Sequence, residues 1–244
     1  MVEHPETVTA LLRGLAVLQA LCGKKVKSIR DLHSITGLPK PTLVRLLKTL
    51  IEAGYVYAMP DPPAYGVTAK VLSLAAGFEP GRYLTDRLGA ALQRFQQSVP
   101  WPSDLAIFDG EEMVILGTSR QPGKLSVNRE VGARVDARKT ALGRAFLAYM
   151  PEADIKLPFS PEELVEFRTV LQTVRTRGYA TSDRENLTTI RALAAPVLQN
   201  EAIVASLNII VVADAMSMAE LELRYANSLV VAALEMSSLM SNTR

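Results

Sequence analysis

Residues 37–54 read Gly-Leu-Pro-Lys-Pro-Thr-Leu-Val-Arg-Leu-Leu-Lys-Thr-Leu-Ile-Glu-Ala-Gly, and this stretch decides the fold of the first part of the chain. Over residues 41–53 the apolar positions recur every three or four residues, which predicts a helix that ends at Gly54. Its single apolar stripe consists of Leu43, Leu46, Leu47, Leu50 and Ile51. The opposite side carries Pro41, Thr42, Arg45 and Lys48.

Two further helices are predicted before this one. Residues 7–22 place Leu11, Leu15, Leu18 and Cys22 at helical spacing, with Val8 and Leu12 beside them. Ser28 and Asp31 have the spacing of a capping pair, so they predict the start of a short second helix. This helix ends near Gly37, where a tight turn leads into the third helix.

A hairpin is predicted after the third helix. Residues 55–57 and 65–67 alternate like short strands, and the Pro-rich segment 59–63 lies between them. Three helices followed by a hairpin define a winged helix-turn-helix. The alternative is a plain three-helix bundle whose hairpin only covers the core, but a bundle has no reason to collect cations on the exposed side of its third helix.

Positive charge is concentrated in the same region. The whole chain has 27 Lys and Arg against 25 Asp and Glu, whereas residues 24–48 contain seven Lys and Arg and a single Asp. We therefore predict that the third helix lies in the major groove of double-stranded DNA, in a roughly two-fold symmetric site. Arg45 and Thr42 are the candidates for base edges or adjacent phosphates. The candidates for the remaining contacts, mainly to phosphates, are Arg30, Lys40, Pro41 and Lys48.

The hairpin is expected to position this module by backbone and minor-groove contacts rather than by reading sequence. Its tip, residues 60–63, carries no cation. A hairpin that only packs on the third helix is the alternative.

The rest of the chain changes pattern and predicts an α+β domain rather than a Rossmann unit. A short helix over 68–77, a break at 78–81 and a helix over 83–97 come first. Strands at 103–108 and 112–117 then join through Asp109 and Gly110. Helices at 140–149 and 160–177, strands at 191–198 and 202–212, and a helix over 217–240 follow. The expected domains are a DNA-binding domain at 1–80, a linker helix at 81–99 and a third part at 100–244.

The sequence offers few candidate residues for catalysis. The chain has two histidines and one cysteine, and it lacks a Gly-x-Ser-x-Gly elbow, a His-Glu-x-x-His zinc pair and a P-loop. Cys22 falls on the apolar stripe of the first helix, so we expect a buried structural thiol. No catalytic residue, metal or cofactor is predicted. The N-terminus resembles no signal peptide and no apolar run reaches about 20 residues, so we expect a cytoplasmic protein without membrane contact.

Several motifs resemble those of the IclR-type transcriptional regulators. The N-terminal ones are RGLAVL at 13–18, ITGLPKPTLVRLL at 35–47 and LIEAGY at 50–55. The C-terminal ones are GRAFLA at 143–148, TRGY at 176–179 and LAAPV at 193–197. The resemblance implies a winged helix-turn-helix, a linker helix and an effector-binding domain with a curved antiparallel sheet and flanking helices. It also implies homodimers that pair through the N-terminal parts and associate further into tetramers.

A small organic acid is the effector that this resemblance implies. The stretch 101–109, WPSDLAIFD, is similar to that of regulators of aromatic-acid catabolism, the hydroxyphenylpropionate activators in particular, so an aromatic acid is preferred over a short aliphatic one. Asn208 also stands out because it interrupts an apolar strand and needs a partner if buried. The positions that the resemblance implies around the ligand are Ala141, Leu142, Ser182, Ala192 and Asn208, with Leu125 and Val127 as apolar walls. Asp183 is a further candidate, which either orients Ser182 or caps the turn that follows. The alternative is a C-terminal domain that only assembles the protein and binds no effector.

Overall fold

A computed structural model describes residues 7–22, 25–75, 79–119 and 131–241. The chain divides into two compact units, Met1–Glu79 and Pro80–Arg244. Each has its own apolar core. No helix in the described ranges is long and apolar enough to span a membrane.

The first unit contains helices α1 (Thr9–Leu21), α2 (Ile29–Thr36) and α3 (Lys40–Glu52). Their shared core is built from Val17, Leu18, Leu21, Leu32, Leu43, Leu47 and Val56. The apolar stripe predicted for α3 therefore packs inward. In α1 the core face is formed by Val17, Leu18 and Leu21, whereas Leu11 and Leu15 of the predicted stripe are exposed.

The structure corrects the expectation that Cys22 is buried. This residue forms the C-terminal cap of α1 and its side chain is exposed, so it is not the buried thiol that the helical spacing predicted. The spacing failed because the apolar residues of α1 cover two faces of the helix, and only one of them meets the core.

Local signals set the ends of α2. The Ser28 side chain accepts a hydrogen bond from the Asp31 backbone, and the Asp31 carboxylate accepts one from the Ser28 backbone at 2.9 Å. At the other end Gly37 adopts the left-handed conformation, with φ of 67°, and donates to the His33 carbonyl. The capping pair predicted from the sequence is thus present.

The wing consists of strands β1 (Val56–Pro60) and β2 (Pro63–Val67), paired antiparallel. The strands extend further than predicted, so only Asp61 and Pro62 form the connection. Lys27 adds a third pairing, because its backbone exchanges two 2.9 Å hydrogen bonds with Tyr65 of β2. This bridge ties the segment before α2 to the wing.

A 3-10 turn (Ala69–Val71) and the short helix α4 (Leu72–Ala75) follow. The next helix, α5 (Glu79–Ser98), begins earlier than predicted. Glu79, Pro80 and Gly81 form its first turn instead of a break. Proline is accepted there because the first amides of a helix have no partner within it.

The second unit is built on a six-stranded antiparallel sheet in the order β5-β4-β3-β8-β7-β6. The strands are β3 (Asp104–Phe108), β4 (Glu112–Thr118), β5 (Arg134–Asp136), β6 (Ala180–Asp183), β7 (Ile190–Gln199) and β8 (Ala202–Val212). Strands β5 and β6 were not predicted. The remaining helices are α6 (Ala141–Leu147), α7 (Pro161–Arg177) and α8 (Met218–Ser241). The predicted α+β class is confirmed.

The sheet separates two cores. Residues 205, 207, 209 and 211 of β8 face the core shared with α5 and α8, and Ile210 faces the core shared with α6 and α7. Because side chains alternate along a strand, Ser206 and Asn208 point to the same face as Ile210. The polar residue that interrupts the apolar pattern of β8 therefore lies on the side covered by α6.

Candidate functional site

The outer face of α3 carries most of the predicted DNA-contacting residues. Leu43 and Leu47 are buried beneath the helix, while Lys40, Pro41, Arg45 and Lys48 are exposed on it. Arg30 is exposed on α2. Lys48 Nζ lies 3.9 Å from a Glu52 carboxylate oxygen, but both side chains are largely exposed, so the pair leaves the cation available.

Thr42 lies elsewhere on the helix. It is half-buried and borders, together with Arg45, a groove of about 610 Å³ between α1 and α3. Thr49 also borders this groove, and its hydroxyl donates to the Arg45 carbonyl at 3.1 Å. Arg45 is therefore the residue shared between the outer face and the groove.

One face of α1 has no partner in the described chain. Leu11, Leu12 and Leu15 are 61%, 54% and 47% exposed. Leu11 and Leu15 line the groove beside α3, with Leu74 of α4 at its border. Three exposed leucines on one helix are an apolar patch of the kind that marks an interface.

The second unit has a small cavity between the start of α6 and the sheet. About 10 Å³ of it is free, roughly the room for one water molecule. Its lining residues are Thr140, Ala141, Leu142, Ser182, Asn186, Ile190, Ala192, Asn208 and Ile210. Three polar members, Thr140, Ser182 and Asn208, are 5%, 6% and 1% exposed, whereas the fourth, Asn186, is half-buried. The cavity therefore combines apolar walls with three buried polar groups.

Protein groups already hold these three side chains. The Ser182 hydroxyl donates to the Lys139 carbonyl at 2.7 Å, and the Thr140 hydroxyl donates to the Asp136 carbonyl at 2.6 Å. Asn208 Oδ1 accepts from the Asp104 backbone at 2.6 Å, and Asn208 Nδ2 lies 3.5 Å from Asp104 Oδ2. An amide has two N–H donors, so Asn208 keeps a second donor beyond this contact.

Ion pairs tie down the connection between β6 and β7, which contributes Asn186 to the cavity lining. Arg144 of α6 donates to Glu185 at 2.7 Å and to the Thr181 carbonyl at 2.9 Å. Arg184 pairs with Asp214 at 2.8 Å. These contacts hold residues 184–189 next to the cavity.

Most of the predicted effector residues lie together. Ala141, Leu142, Ser182, Ala192 and Asn208 all line the cavity. Asp183 does not line it, and its carboxylate instead pairs with Arg191 at 2.7 Å. Leu125 and Val127 fall outside the described residues.

The sequence did not single out three of the lining residues, Asn186, Ile190 and Ile210, whereas Thr140 marks the predicted start of the helix beside which the acid is expected. Alternation along the strands could have found two of them. Ile190 is two positions from Ala192, and Ile210 is two positions from Asn208. Asn186 gave no signal, because its place depends on how the connection between β6 and β7 folds back. Within the described ranges no cluster of three His, Cys, Asp or Glu could hold a metal ion.

Comparison with known proteins defines the class. Residues 10–60 match the IclR helix-turn-helix domain, and residues 84–238 match the bacterial transcriptional regulator IclR C-terminal domain. The chain belongs to the IclR family of bacterial transcriptional regulators, and it binds DNA through its helix-turn-helix. The prediction of a regulator rather than an enzyme is confirmed.

Individual relatives span most of the chain. The Pca regulon regulatory protein of Pseudomonas putida is 29% identical over an alignment 249 residues long, gaps included. This alignment covers 95% of this chain and 84% of the relative. The glycerol operon regulatory protein of Streptomyces coelicolor is 31% identical, with coverage of 78% and 79%. The crystal structure of an IclR homolog from Microbacterium hydrocarbonoxydans, complexed with 4-hydroxybenzoate, has a TM-score of 0.72 at 18% identity and covers 95% of this chain and 99% of that one.

Proposed function

We propose that this regulator responds to a small organic acid, with an aromatic carboxylate as the preferred class and a short aliphatic acid as the second. The acid binds in the cavity beside α6. One observation carries the proposal: three buried polar side chains, Thr140, Ser182 and Asn208, line one small space whose other walls, apart from Asn186, are apolar. Apolar walls with a few fixed polar groups are the usual form of a small-molecule site.

The hydrogen bonds suggest how such an acid is held. A carboxylate only accepts, so it takes the second N–H of Asn208 and the backbone N–H groups of Ala141 and Leu142, which have no partner within the helix. The proton of Ser182 is directed to Lys139, so this hydroxyl acts as an acceptor. A ring hydroxyl suits that acceptor. The complex of the Microbacterium homolog with 4-hydroxybenzoate supports an acid of this kind.

A second candidate function is assembly alone, and the size of the cavity favours it. With about 10 Å³ free, the space holds no organic acid without opening. Residues 184–189 are the part that must move, because Asn186 lines the cavity from this connection. If the second unit only assembles the protein, no acid opens it.

Calorimetric titration decides between the two. 4-Hydroxybenzoate, benzoate and a series of short aliphatic acids are titrated into the wild type and into the Asn208→Leu and Ser182→Ala variants. We expect one class of acid to bind the wild type and to bind both variants at least tenfold more weakly, since a buried polar contact is lost. Ser237→Ala is the control, because the Ser237 hydroxyl on α8 also donates to a backbone carbonyl, that of Ala233 at 2.8 Å, but Ser237 does not line the cavity. Equal affinities in all proteins would move the site elsewhere, and no binding would favour assembly.

At the DNA, we propose that α3 enters the major groove of each half of a two-fold site. Related half-sites then lie about 34–36 Å apart, or a multiple of that distance. Arg45 is proposed to contact bases and Lys48 phosphates. Arg45→Ala should lose specific binding, whereas Lys48→Ala should weaken binding to all sequences and lower the salt slope by about one. Unchanged operator affinity in Arg45→Ala would contradict this use of the helix face.

The exposed leucines of α1 support a homodimer that pairs through the first unit, with tetramers formed by further association of the second. Leu11→Glu together with Leu15→Glu should shift the mass measured by light scattering towards the monomer and weaken operator binding. Val165→Glu, a comparably exposed position on α7, should leave the mass unchanged. A dimer that persists in the double variant would exclude this face.

A further inference from the structure

An apolar side chain lies among the cations on the outer face of α3. One face of the helix carries Pro41 together with the residues three, four and seven positions after it, which are Val44, Arg45 and Lys48. Val44 is 49% exposed, while Leu43 beside it is fully buried. The sequence pattern did not assign Val44 to either the core or the DNA.

Val44 is not part of the apolar core of the first unit. It belongs neither to the apolar core of the three helices nor to their partly buried neighbours. It is also absent from the lining of the groove between α1 and α3, which is formed on the side of Thr42 and Thr49. The dimer contact proposed for α1 therefore does not account for it.

The positive charges around Val44 indicate that its partner is DNA. Arg45 follows it directly, and Lys48 lies one turn further along the helix. Both are exposed cations on a helix that binds a polyanion, so Val44 meets a base edge if Arg45 and Lys48 meet bases and phosphates. This step rests on the docking of α3 proposed above.

The chemistry of the base edges indicates which base Val44 contacts. In the major groove, G, C and A present hydrogen-bonding groups, and thymine alone adds an apolar group, its 5-methyl. A valine against a polar edge removes water without replacing the lost hydrogen bonds, which is unfavourable. Valine is also stiff about χ1, so it cannot turn aside as a longer side chain can.

We propose that Val44 contacts the 5-methyl group of a thymine and thereby selects thymine at one position of each half-site. The residue is a specificity determinant: it adds little to general DNA affinity and acts on one base pair.

Removal of single methyl groups from the DNA tests this proposal. A duplex selected by the wild-type protein from a random pool serves as the operator, and each thymine is replaced in turn by deoxyuridine, which lacks only the methyl. We expect one position per half-site where wild-type affinity falls about fourfold, the effect of exposing one buried methyl group. For Val44→Ala we expect weaker binding to the thymine operator and no further loss with deoxyuridine at that position.

Two controls complete the experiment. Cytosine with guanine opposite at the same position should bind poorly, and 5-methylcytosine should recover part of the loss for the wild type but not for Val44→Ala. Val165→Ala, which shortens an exposed valine of α7, should behave as the wild type. Val44→Thr keeps one methyl group and the β-branched shape, so it should retain sensitivity to deoxyuridine.

The outcome separates this inference from the docking itself. Equal deoxyuridine penalties in the wild type and Val44→Ala at every position overturn the methyl contact, even if Arg45→Ala abolishes binding. If Arg45→Ala and Lys48→Ala both bind as the wild type does, the docking of α3 is wrong and the methyl contact falls with it.

Discussion

At Gly143, in the first turn of α6, there is no room for a side chain. A Cβ atom placed there would lie 2.0 Å from the Ala137 carbonyl oxygen and 2.3 Å from the Ala137 Cα. These are backbone atoms of the turn before the helix, which is fixed by the Thr140 hydroxyl on the Asp136 carbonyl. The residue therefore sets how closely α6 approaches this turn, and α6 contributes Ala141 and Leu142 to the cavity.

Gly143→Ala should consequently destabilise the second unit by about 3 kcal/mol or more, because neither the helix nor the turn can yield without breaking these contacts. Thermal denaturation followed by circular dichroism measures it, with an expected fall in melting temperature of roughly 10 °C. Gly89→Ala is the control, since nothing lies within 4 Å of its Cβ position in α5. That change should stabilise by about 0.5–1 kcal/mol. A Gly143→Ala protein that melts with the wild type would contradict the close approach.

Among the elements, α2 shows how a short helix depends on its caps. It has eight residues, and its first turn is closed by the reciprocal bonds of Ser28 and Asp31. The hydrogen bond with the Ser28 side chain is the largest influence on the Asp31 carboxyl and lowers its pKa from the ordinary value of an aspartate. A lowered pKa stabilises the fold above the pKa of the unfolded state, and this contribution is lost as the pH falls.

Ser28→Ala should destabilise the first unit by about 1 kcal/mol at pH 7. The difference from the wild type should begin to shrink as the pH falls below the ordinary Asp pKa of about 3.9, and it should continue to shrink until the pH lies below the lowered pKa of the folded state. Ser160→Ala, which removes the equivalent cap of α7, should instead destabilise the second unit. Chemical denaturation at several pH values measures both, and a pH-independent difference for Ser28→Ala would speak against the capping role of Asp31.

Sequence patterns predicted an element correctly where a periodic signal extends over many consecutive residues. The repeat of leucines predicted α3, and an Asn inside an apolar run predicted the buried polar group of β8. They failed where tertiary contacts decide the outcome. Strands β5 and β6 have three and four residues, too few for a period, and form only because β4 and β7 offer edges.

The site was predictable to a similar extent. The cations of α3 were found from periodicity, whereas the half-buried position of Thr42 and the ion pair of Asp183 depend on neighbours that are distant in sequence. Pro80 predicts a break because proline disrupts helix interiors, but the structure has it in the first turn of α5, which tolerates proline.

Among the described residues of the whole molecule, the core of the first unit and the two cores of the second unit have no residue in common. The core of the first unit is built from residues 17–71, and the cores of the second from residues 84–240. We therefore expect the two units to unfold in separate steps, in which case a single free energy of unfolding does not describe the chain.

Differential scanning calorimetry of the full chain should resolve two transitions. Ser28→Ala should shift one of them and Gly143→Ala the other. An acid that binds the cavity should raise only the transition that Gly143→Ala lowers, because a ligand stabilises the native state of the unit that holds it. A single transition that moves as a whole in every variant would show that the two units unfold together.

The small size of the cavity beside α6 should also limit how fast an effector can enter. If about 10 Å³ is free and residues 184–189 are held by Arg144 and its neighbours, the ligand meets a competent protein only when this connection has swung away. In rapid-mixing experiments the observed binding rate should then rise with acid concentration and level off at the rate of opening. Glu185→Gln weakens the contact with Arg144, so it should raise this limiting rate. The speed of the transcriptional response would then be set by one ion pair at the edge of the cavity.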